Sequence, residues 1–202
     1  NFIVQIRGRF ESMTLAGLSN DMTNKISAVS TWGDVSPISL SGAFERTGNL
    51  SQLPNTLPSS VRDLSGMLFA SDYNGSEIGL WNVSRVTDMS LLFASNTDFN
   101  SPLNLWNTSR VETMASMFRG ATAFNQDISG WNTALVKDFS NMFQATSFNQ
   151  NIGGWNVSKS TTFNGMFRDN GAFNQDIGVW NVGRGEDFSN MFRNASSFNQ
   201  NI

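Results

Sequence analysis

The stretch Phe124-Asn-Gln-Asp-Ile-Ser-Gly-Trp-Asn132 decides how this chain is organised, because it recurs at a fixed interval. Close copies stand at Asn149–Asn156 and Asn174–Asn181, and a degenerate copy stands at Asn100–Asn107. The Trp residues of these copies are 24 or 25 residues apart. A period in this range indicates a solenoid, whose units bury their apolar faces only by stacking on their neighbours.

A Phe follows each of these Trp residues after twelve positions, which gives a second series with the same period. Its members are Phe93, Phe118, Phe143, Phe167 and Phe192, and counting back extends it to Phe69 and Phe44. The rings can form a platform for stacking sugars. Residues that recur at fixed offsets from other apolar positions are more typical of a core, so we expect the Trp and Phe series to be buried.

Each unit divides into two halves of different pattern. Apolar residues Val86, Met89, Leu92 and Phe93 have offsets of 0, 3, 6 and 7, which predict one face of a short helix. The half around Phe-Asn-Gln-Asp-Ile is rich in Asn and Gly and favours a loop with a very short strand. The predicted fold is therefore an α/β repeat, a solenoid in which each coil has a short strand or loop and a short helix.

The two ends of the chain differ from the regular repeat. Residues 1–31 lack it, and we expect them to form an N-terminal capping segment, with a strand at Phe2–Ile6 and a helical piece at Met22–Val29. Residues 32–202 are predicted to form about seven coils. The last copy stops at Ile202 before its Trp, so we expect the array to be incomplete at the C-terminus, with an apolar edge that favours self-association.

Composition narrows the functional classes. Cys and His are both absent, which excludes disulfides, thiolate zinc sites, Cys nucleophiles and His-based triads. The formal charge of −3 argues against a nucleic-acid partner, and no apolar run is long enough to span a membrane. No residue stands apart from the repeat as a unique pocket would require, so we expect no enzyme activity and no cofactor.

Two polar columns are candidates for binding. The Asn after each Trp can bond backbone groups of its own and the next turn, or a ligand; its members are Asn82, Asn107, Asn132, Asn156 and Asn181. Asp127, Asn151, Asp176 and Asn201 form a second column that can hold calcium. Because neutral Asn alternates with Asp there, we favour side chains that bond their own turns.

Basic residues also recur in register. One column lies four residues after the Trp series and contains Arg85, Arg110, Lys159 and Arg184. The other follows the Phe series and contains Arg119, Arg168 and Arg193, which we take as the candidate surface-binding residues. Such columns can meet an acidic polymer or pair with neighbouring carboxylates, and the second role is the more common.

Two stretches carry a resemblance to a known family. Trp81–Phe93 and Ala121–Asn132 closely resemble the repeat of BspA-type surface proteins, and Lys25–Asp34 and Leu50–Pro54 resemble the segment that precedes it. The resemblance covers nearly the whole chain. It implies a leucine-rich-repeat-like solenoid on an exported, often cell-anchored protein associated with adhesion, without catalytic residues. Ser160 and Gly185 depart from the pattern, where an apolar residue is expected, and those coils are expected to be looser.

Taken together, these features predict an extracellular or cell-surface structural and adhesive repeat protein. Its partner is expected to be a protein or a cell-surface or matrix ligand. The alternative is a calcium- or carbohydrate-dependent binding module of a larger secreted protein.

Overall fold

The computed structural model describes residues 11–14, 23–33 and 35–202, and these residues wind into a parallel stack of coils. One residue of each coil forms a single parallel bridge with its equivalent in the next coil. From Ser39 onward the bridges recur every 24 or 25 residues. We call these positions the bridge column: Ser12, Ser39, Asp63, Asp88, Thr113, Asp138, Thr162 and Asp187.

The predicted α/β class is wrong. Within residues 35–202 the structure contains one helix, the 3₁₀ helix Ser76–Leu80, and no strand longer than a single bridge residue. The expected leucine-rich-repeat-like solenoid, with a strand and a helix in each coil, is therefore corrected to a stack of consecutive turns. The segment Ser84–Phe93, predicted as a helix, is built from turns.

Backbone hydrogen bonds explain why no helix forms. The N–H groups of Leu64, Gly66 and Leu68 donate to the next coil, to the carbonyls of Asp88, Ser90 and Leu92 at 2.8–3.0 Å. Between them, the N–H of Met67 donates three residues back to the Leu64 carbonyl, and the N–H of Ser65 donates to Oδ1 of Asp63, both within their own coil. An α-helix would instead direct every N–H to the fourth preceding carbonyl. Alternate N–H groups are thus committed to the neighbouring coil, and the same alternation repeats along the stack.

Two residues in each coil adopt positive φ, four positions apart, which a helix does not tolerate. Both stand at the third position of a turn, where a type II turn requires positive φ. Gly, Asn and Ser fill most of these positions, which suits their tolerance of this region. The first of each pair is Gly42, Gly66, Leu91, Ser116, Asn141, Gly165 or Asn190, and the second is Arg46, Ala70, Ser95, Gly120, Ala145, Asp169 or Asn194.

The apolar pattern correctly predicts a core and incorrectly predicts a helix. Val86, Met89 and Leu92 are all buried. A chain of turns that each close over three residues brings every third side chain to the same side. Over ten residues this spacing matches the helical period of 3.6, so the periodicity did not distinguish the two structures.

Stacked Phe rings form the centre of the coils from Phe93 onward. Phe118 and Phe124 of one coil lie with ring centroids 3.8 Å apart and planes 8° from parallel. Phe118 also stacks on Phe93 of the preceding coil at 5.5 Å and Phe143 of the following coil at 5.9 Å. Equivalent pairs recur in the coils of Phe93, Phe143, Phe167 and Phe192, so from Phe93 onward the core is a continuous stack of rings.

One assignment in the Phe series was wrong. The position equivalent to Phe44 and Phe93 in the intervening coil is Leu68, whose N–H makes the matching bond to the next coil and whose side chain is fully buried. Phe69 lies one position later, where it is only half-buried. Its equivalents there are Glu45, Ala94, Arg119, Gln144, Arg168 and Arg193, which we call the Phe-adjacent column.

The Trp series is buried as predicted. Trp131 is 4% exposed, and its indole N–H donates to the Leu103 carbonyl of the preceding coil at 3.1 Å. That carbonyl also accepts the backbone N–H of Trp106. The same bond is made by Trp81, Trp106, Trp155 and Trp180 to the preceding coil. Each indole therefore ties two coils together as well as filling space.

The described residues of the N-terminal segment pack against the first regular coil. Ser12 bridges Ser39 and Ala28 bridges Gln52, both in parallel. That residues 1–31 form a capping segment stays a prediction. The strand predicted at Phe2–Ile6 and the start of the helix predicted at Met22 lie outside the described residues.

Ser160 and Gly185, which stand where the repeat has an apolar residue, fit into their coils in different ways. Ser160 is fully buried, and its hydroxyl donates to the Val136 carbonyl of the preceding coil at 2.8 Å. At Gly185 an added Cβ would collide with the ring of Phe188, so that ring occupies the space of the missing side chain.

We expect Trp131→Ala to lower the free energy of unfolding by about 3–5 kcal/mol, because it removes a large buried ring and an intercoil hydrogen bond. Urea titration followed by circular dichroism measures this loss. A change below about 1 kcal/mol would contradict a role for Trp131 in holding the two coils together.

Alanine substitutions at two glycines distinguish the cost of backbone strain in the folded state from the effect of reduced flexibility in the unfolded chain. Gly165 has φ of +58°, and an added Cβ would lie 2.5 Å from Asn141 Oδ1. We expect Gly165→Ala to destabilise the protein by about 1–2 kcal/mol. Gly130 has open space around its Cβ position and no positive φ. Gly130→Ala is the matched control and should leave stability unchanged or raise it by about 0.4–1 kcal/mol. Equal losses in thermal melts of both variants would refute this account.

Candidate functional site

The Asn that follows each Trp is exposed and bonds its own turn. Asn132 Oδ1 accepts the N–H of Ala134 at 3.1 Å, and the same contact to the residue two positions on recurs at Asn82, Asn107, Asn156 and Asn181. None of these Oδ1 atoms reaches the next coil, so the predicted ladder does not form here. The side-chain amide nitrogens of these exposed residues make no hydrogen bond within the described residues. We call this set the Asn column.

The intercoil ladder lies instead at the Asn of the Phe-Asn-Gln triplet. Asn125 Oδ1 accepts both the N–H of Asn149 at 2.9 Å and the side-chain amide of Gln150 at 3.2 Å. The same side-chain bond to the next coil continues at Asn74, Asn100, Asn149 and Asn174. The sequence carried a signal for it, because Asn and Gln stay adjacent in every full copy while the following residues vary.

The column of Asp127, Asn151 and Asp176 closes its own turns. Each Oδ1 accepts the N–H two residues on at 2.9 Å. The bond from Ser129 lowers the pKa of Asp127 below its ordinary value. No group of three acidic side chains in residues 11–14, 23–33 and 35–202 is arranged to hold a metal ion. The favoured interpretation of this column as turn residues is therefore confirmed for these three positions.

The candidate surface-binding residues Arg119, Arg168 and Arg193 share the Phe-adjacent column, but they are unequal. Arg119 and Arg193 are exposed, whereas Arg168 is half-buried and its Nε lies 3.2 Å from Asp169 Oδ2. Asp169 accepts a hydrogen bond from Asn194 at 2.7 Å, and this bond, with Arg168 and Arg193, lowers its pKa. Gln144 separates Arg119 from the other two. Positive charge in this column is therefore interrupted and partly compensated.

A more continuous line of cations runs beside the bridge column. Each of six successive coils contributes one cation, one or three positions before its bridge residue. Backbone bonds from Thr87 to Arg62 and from Lys137 to Glu112 hold these positions in register. All except Arg62 are exposed. We call this set the basic stripe: Arg62, Arg85, Arg110, Lys137, Lys159 and Arg184.

One ion pair within the described residues involves the basic stripe. Lys137 Nζ donates to Glu112 Oε2 at 2.6 Å. This bond and the charge of Lys137 lower the pKa of Glu112, and the charge of Lys159 adds a smaller effect in the same direction. Both partners are exposed, so the pair contributes little to stability. Arg85, Arg110, Lys159 and Arg184 form no ion pair there and keep their charges available.

A cavity of about 330 Å³ interrupts the regular surface beside Trp32. The next coil has Thr56 in the Trp position, and the indole of Trp32 donates to its carbonyl. Hydroxyl, amide and proline side chains line the cavity, among them Ser30, Pro54 and Asn55. They form no nucleophile–base pair or group of carboxylates that would support catalysis.

Two overlapping stretches, residues 38–147 and 126–202, match the family described as "Mycoplasma protein of unknown function, DUF285". The chain belongs to this family. No curated protein and no solved structure matches it. Among the described residues, no helix is long and apolar enough to cross a membrane.

The Glu112 pair gives a graded titration test. Because Lys137 dominates the lowering, we expect Lys137→Met to return the pKa of Glu112 toward its ordinary value and Lys159→Met to raise it less. Carbon-detected NMR titration of the Glu112 carboxyl measures both. The folded-state pKa is depressed, so the small contribution of the pair is present at neutral pH and is lost as the pH falls through that pKa. A larger shift from Lys159→Met would contradict the observed geometry.

Proposed function

We propose that this chain is an extracellular structural and adhesive repeat protein that presents a repetitive surface to a protein or to a cell-surface or matrix ligand. The observation that carries the proposal is the register of the exposed side chains. Buried Trp and Phe columns hold the coils in line, so each outward position recurs once per coil along the stack. Such a surface suits many weak contacts in series.

The resemblance to BspA-type surface proteins supports the same role. The repeat of Trp81–Phe93 carries it, and Trp81, Val86 and Met89 within that segment are core residues. An exported location at or outside the cell surface is part of the proposal. The proposal assigns a binding role and no catalysed reaction.

The alternative of a calcium-dependent module has no observation in its favour, because Asp127 and Asp176 are engaged in their own turns. A carbohydrate partner fits the exposed amides and cations better. Self-association through the last coil stays a prediction. The half-buried rings of Phe192 and Phe198 are the groups that an added copy would cover.

Adhesion spread over a repeating surface predicts graded losses. We expect single Arg119→Ala, Arg168→Ala or Arg193→Ala variants to weaken binding to fixed cells slightly, and the triple variant to weaken it further. The effect should fade with salt, since exposed charges are screened over about 10 Å at 0.1 M. Binding curves across an ionic-strength series measure this.

Complete loss of binding from one of these substitutions would contradict a distributed surface and indicate a discrete pocket. Salt-independent binding that the triple variant leaves intact would remove the Phe-adjacent column from the interaction.

A further inference from the structure

We propose that the basic stripe and the Asn column together bind a linear anionic polysaccharide that lies along the stack. The proposal rests on the adhesive function and names the chemical class of its ligand. It places the main contacts on a different face from Arg119, Arg168 and Arg193.

The Trp segment builds a face without acidic side chains. In Leu80-Trp-Asn-Val-Ser84, Trp81 and Val83 are buried while Leu80 and Asn82 are exposed. The outward positions of the five coils with this segment carry only aliphatic residues, Gly, Ala, Asn, Ser and, at the fourth residue after Trp, a cation or Leu135. On a chain of net charge −3, this face is locally positive.

Four of the five coils with this segment offer one amide donor and one unpaired cation, and the coil of Trp131 has Leu135 in place of the cation. In the Asn column, Oδ1 is occupied by the N–H of the same turn, and Nδ2 has no hydrogen-bond partner among the described residues. Beside it, Arg85, Arg110, Lys159 and Arg184 form no ion pair within the described residues, although the charge of Lys159 still acts weakly on Glu112. Adjacent backbones in a parallel ladder lie about 4.8 Å apart. The donor thus repeats at the spacing of the coils, and the cation accompanies it in four of the five.

A linear sugar polymer with an anionic group at regular intervals matches this arrangement. Its hydroxyl and ring oxygens accept hydrogen bonds from the Asn amides, and its carboxylate or sulfate groups meet the cations, with Arg suited to bidentate contact. Carboxylates follow several of the cations along the chain, at Glu112 and Glu186 two residues later and at Asp88 and Asp138 in the bridge column. They repel an anionic chain and confine it to the Asn side.

Charge alone does not favour this face over the Phe-adjacent column. What distinguishes the two is the number of unpaired cations. Four of the five coils with the Trp segment have an unpaired cation four residues after Trp, with Leu135 in the fifth, whereas Gln144 interrupts the other line and Asp169 partly neutralises it. Clefts or faces of one sign raise the local concentration of an oppositely charged ligand, and alternating signs cancel that effect.

The probes are dextran sulfate and, as the neutral match, dextran. A stripe variant combines Arg85→Gln, Arg110→Gln, Lys159→Gln and Arg184→Gln. A control variant with the same change in net charge combines Arg46→Gln, Arg119→Gln, Arg168→Gln and Arg193→Gln. We expect dextran sulfate to bind and dextran not to bind. The stripe variant should lose about tenfold or more in affinity at low salt, and the control variant less than about threefold.

A second pair of variants tests the amide donors within one coil. Asn132→Asp keeps an acceptor for the Ala134 N–H but removes the donor and adds a negative charge. Gln144→Glu adds the same charge in the Phe-adjacent column. Dextran sulfate affinity should fall several-fold more for Asn132→Asp than for Gln144→Glu. Melting transitions of all variants confirm folding, and the pairs Arg85/Arg110 and Lys159/Arg184 replace the stripe variant if it melts early.

Equal losses in the stripe and control variants would overturn the proposal, because they would indicate nonspecific attraction to the whole protein. Tight binding of polyglutamate with the same variant profile would also overturn it, in favour of an anionic polypeptide. Cell adhesion without any dextran sulfate binding would refute the polysaccharide ligand and leave the adhesive function standing. Dextran sulfate binding without cell adhesion would refute the adhesive function instead.

Discussion

Alternation of backbone hydrogen bonds is the constraint on which this architecture depends. Along the turn-rich half of each coil, one N–H bonds the next coil and the following N–H closes a turn in its own coil. The pattern works only if equivalent residues face each other, so it enforces a repeat of 24 or 25 residues. Leaving either set of buried groups unpaired would cost on the order of a hydrogen bond each. Side-chain columns are a consequence of this register.

This arrangement requires two residues of each coil to adopt positive φ. Where Gly occupies the position, as at Gly66 and Gly165, the conformation is easily adopted. At Leu91 and Arg46 a larger residue is held there, at a cost of roughly 1–2 kcal/mol each. The surrounding rings and intercoil bonds offset that cost. Strain at these positions is therefore evidence of how strongly the stack, rather than local preference, determines the backbone.

The sequence supported accurate inferences about burial and register, and inaccurate ones about secondary structure. Trp131 and Met89 were identifiable as core because their series recur with other apolar positions. The turns were not identifiable, because spacing of three residues in a short window fits both a helix and consecutive turns. Phe69 was misplaced for a related reason: a difference of one residue in coil length shifts the equivalent position to Leu68, and only the backbone bonds reveal it.

The candidate site shows the same division. Arg119 and Arg193 were recognised as basic and exposed, but their surroundings depend on Asp169 and Gln144, whose proximity follows from the stacking of coils. The ladder of Asn125 and Asn149 was missed because the other Asn series, after the Trp, repeats just as faithfully. The oxygen of an Asn side chain can accept a hydrogen bond from its own turn or from the next coil. Which bond forms depends on which backbone N–H lies within reach.

Some residues repeat because the fold requires them, and others repeat although the fold does not. Only the second kind indicates a function. The Asn after each Trp is constant because its Oδ1 closes a turn, so its constancy alone does not indicate a ligand. The cation of the basic stripe changes between Arg and Lys and moves between two positions, yet each of six coils has one. Arg110 and Arg184 satisfy no backbone group among the described residues, and neither is needed to fill the core. Positive charge is thus retained while residue type and position vary, which is the behaviour expected when an external anion, rather than the fold, requires the charge.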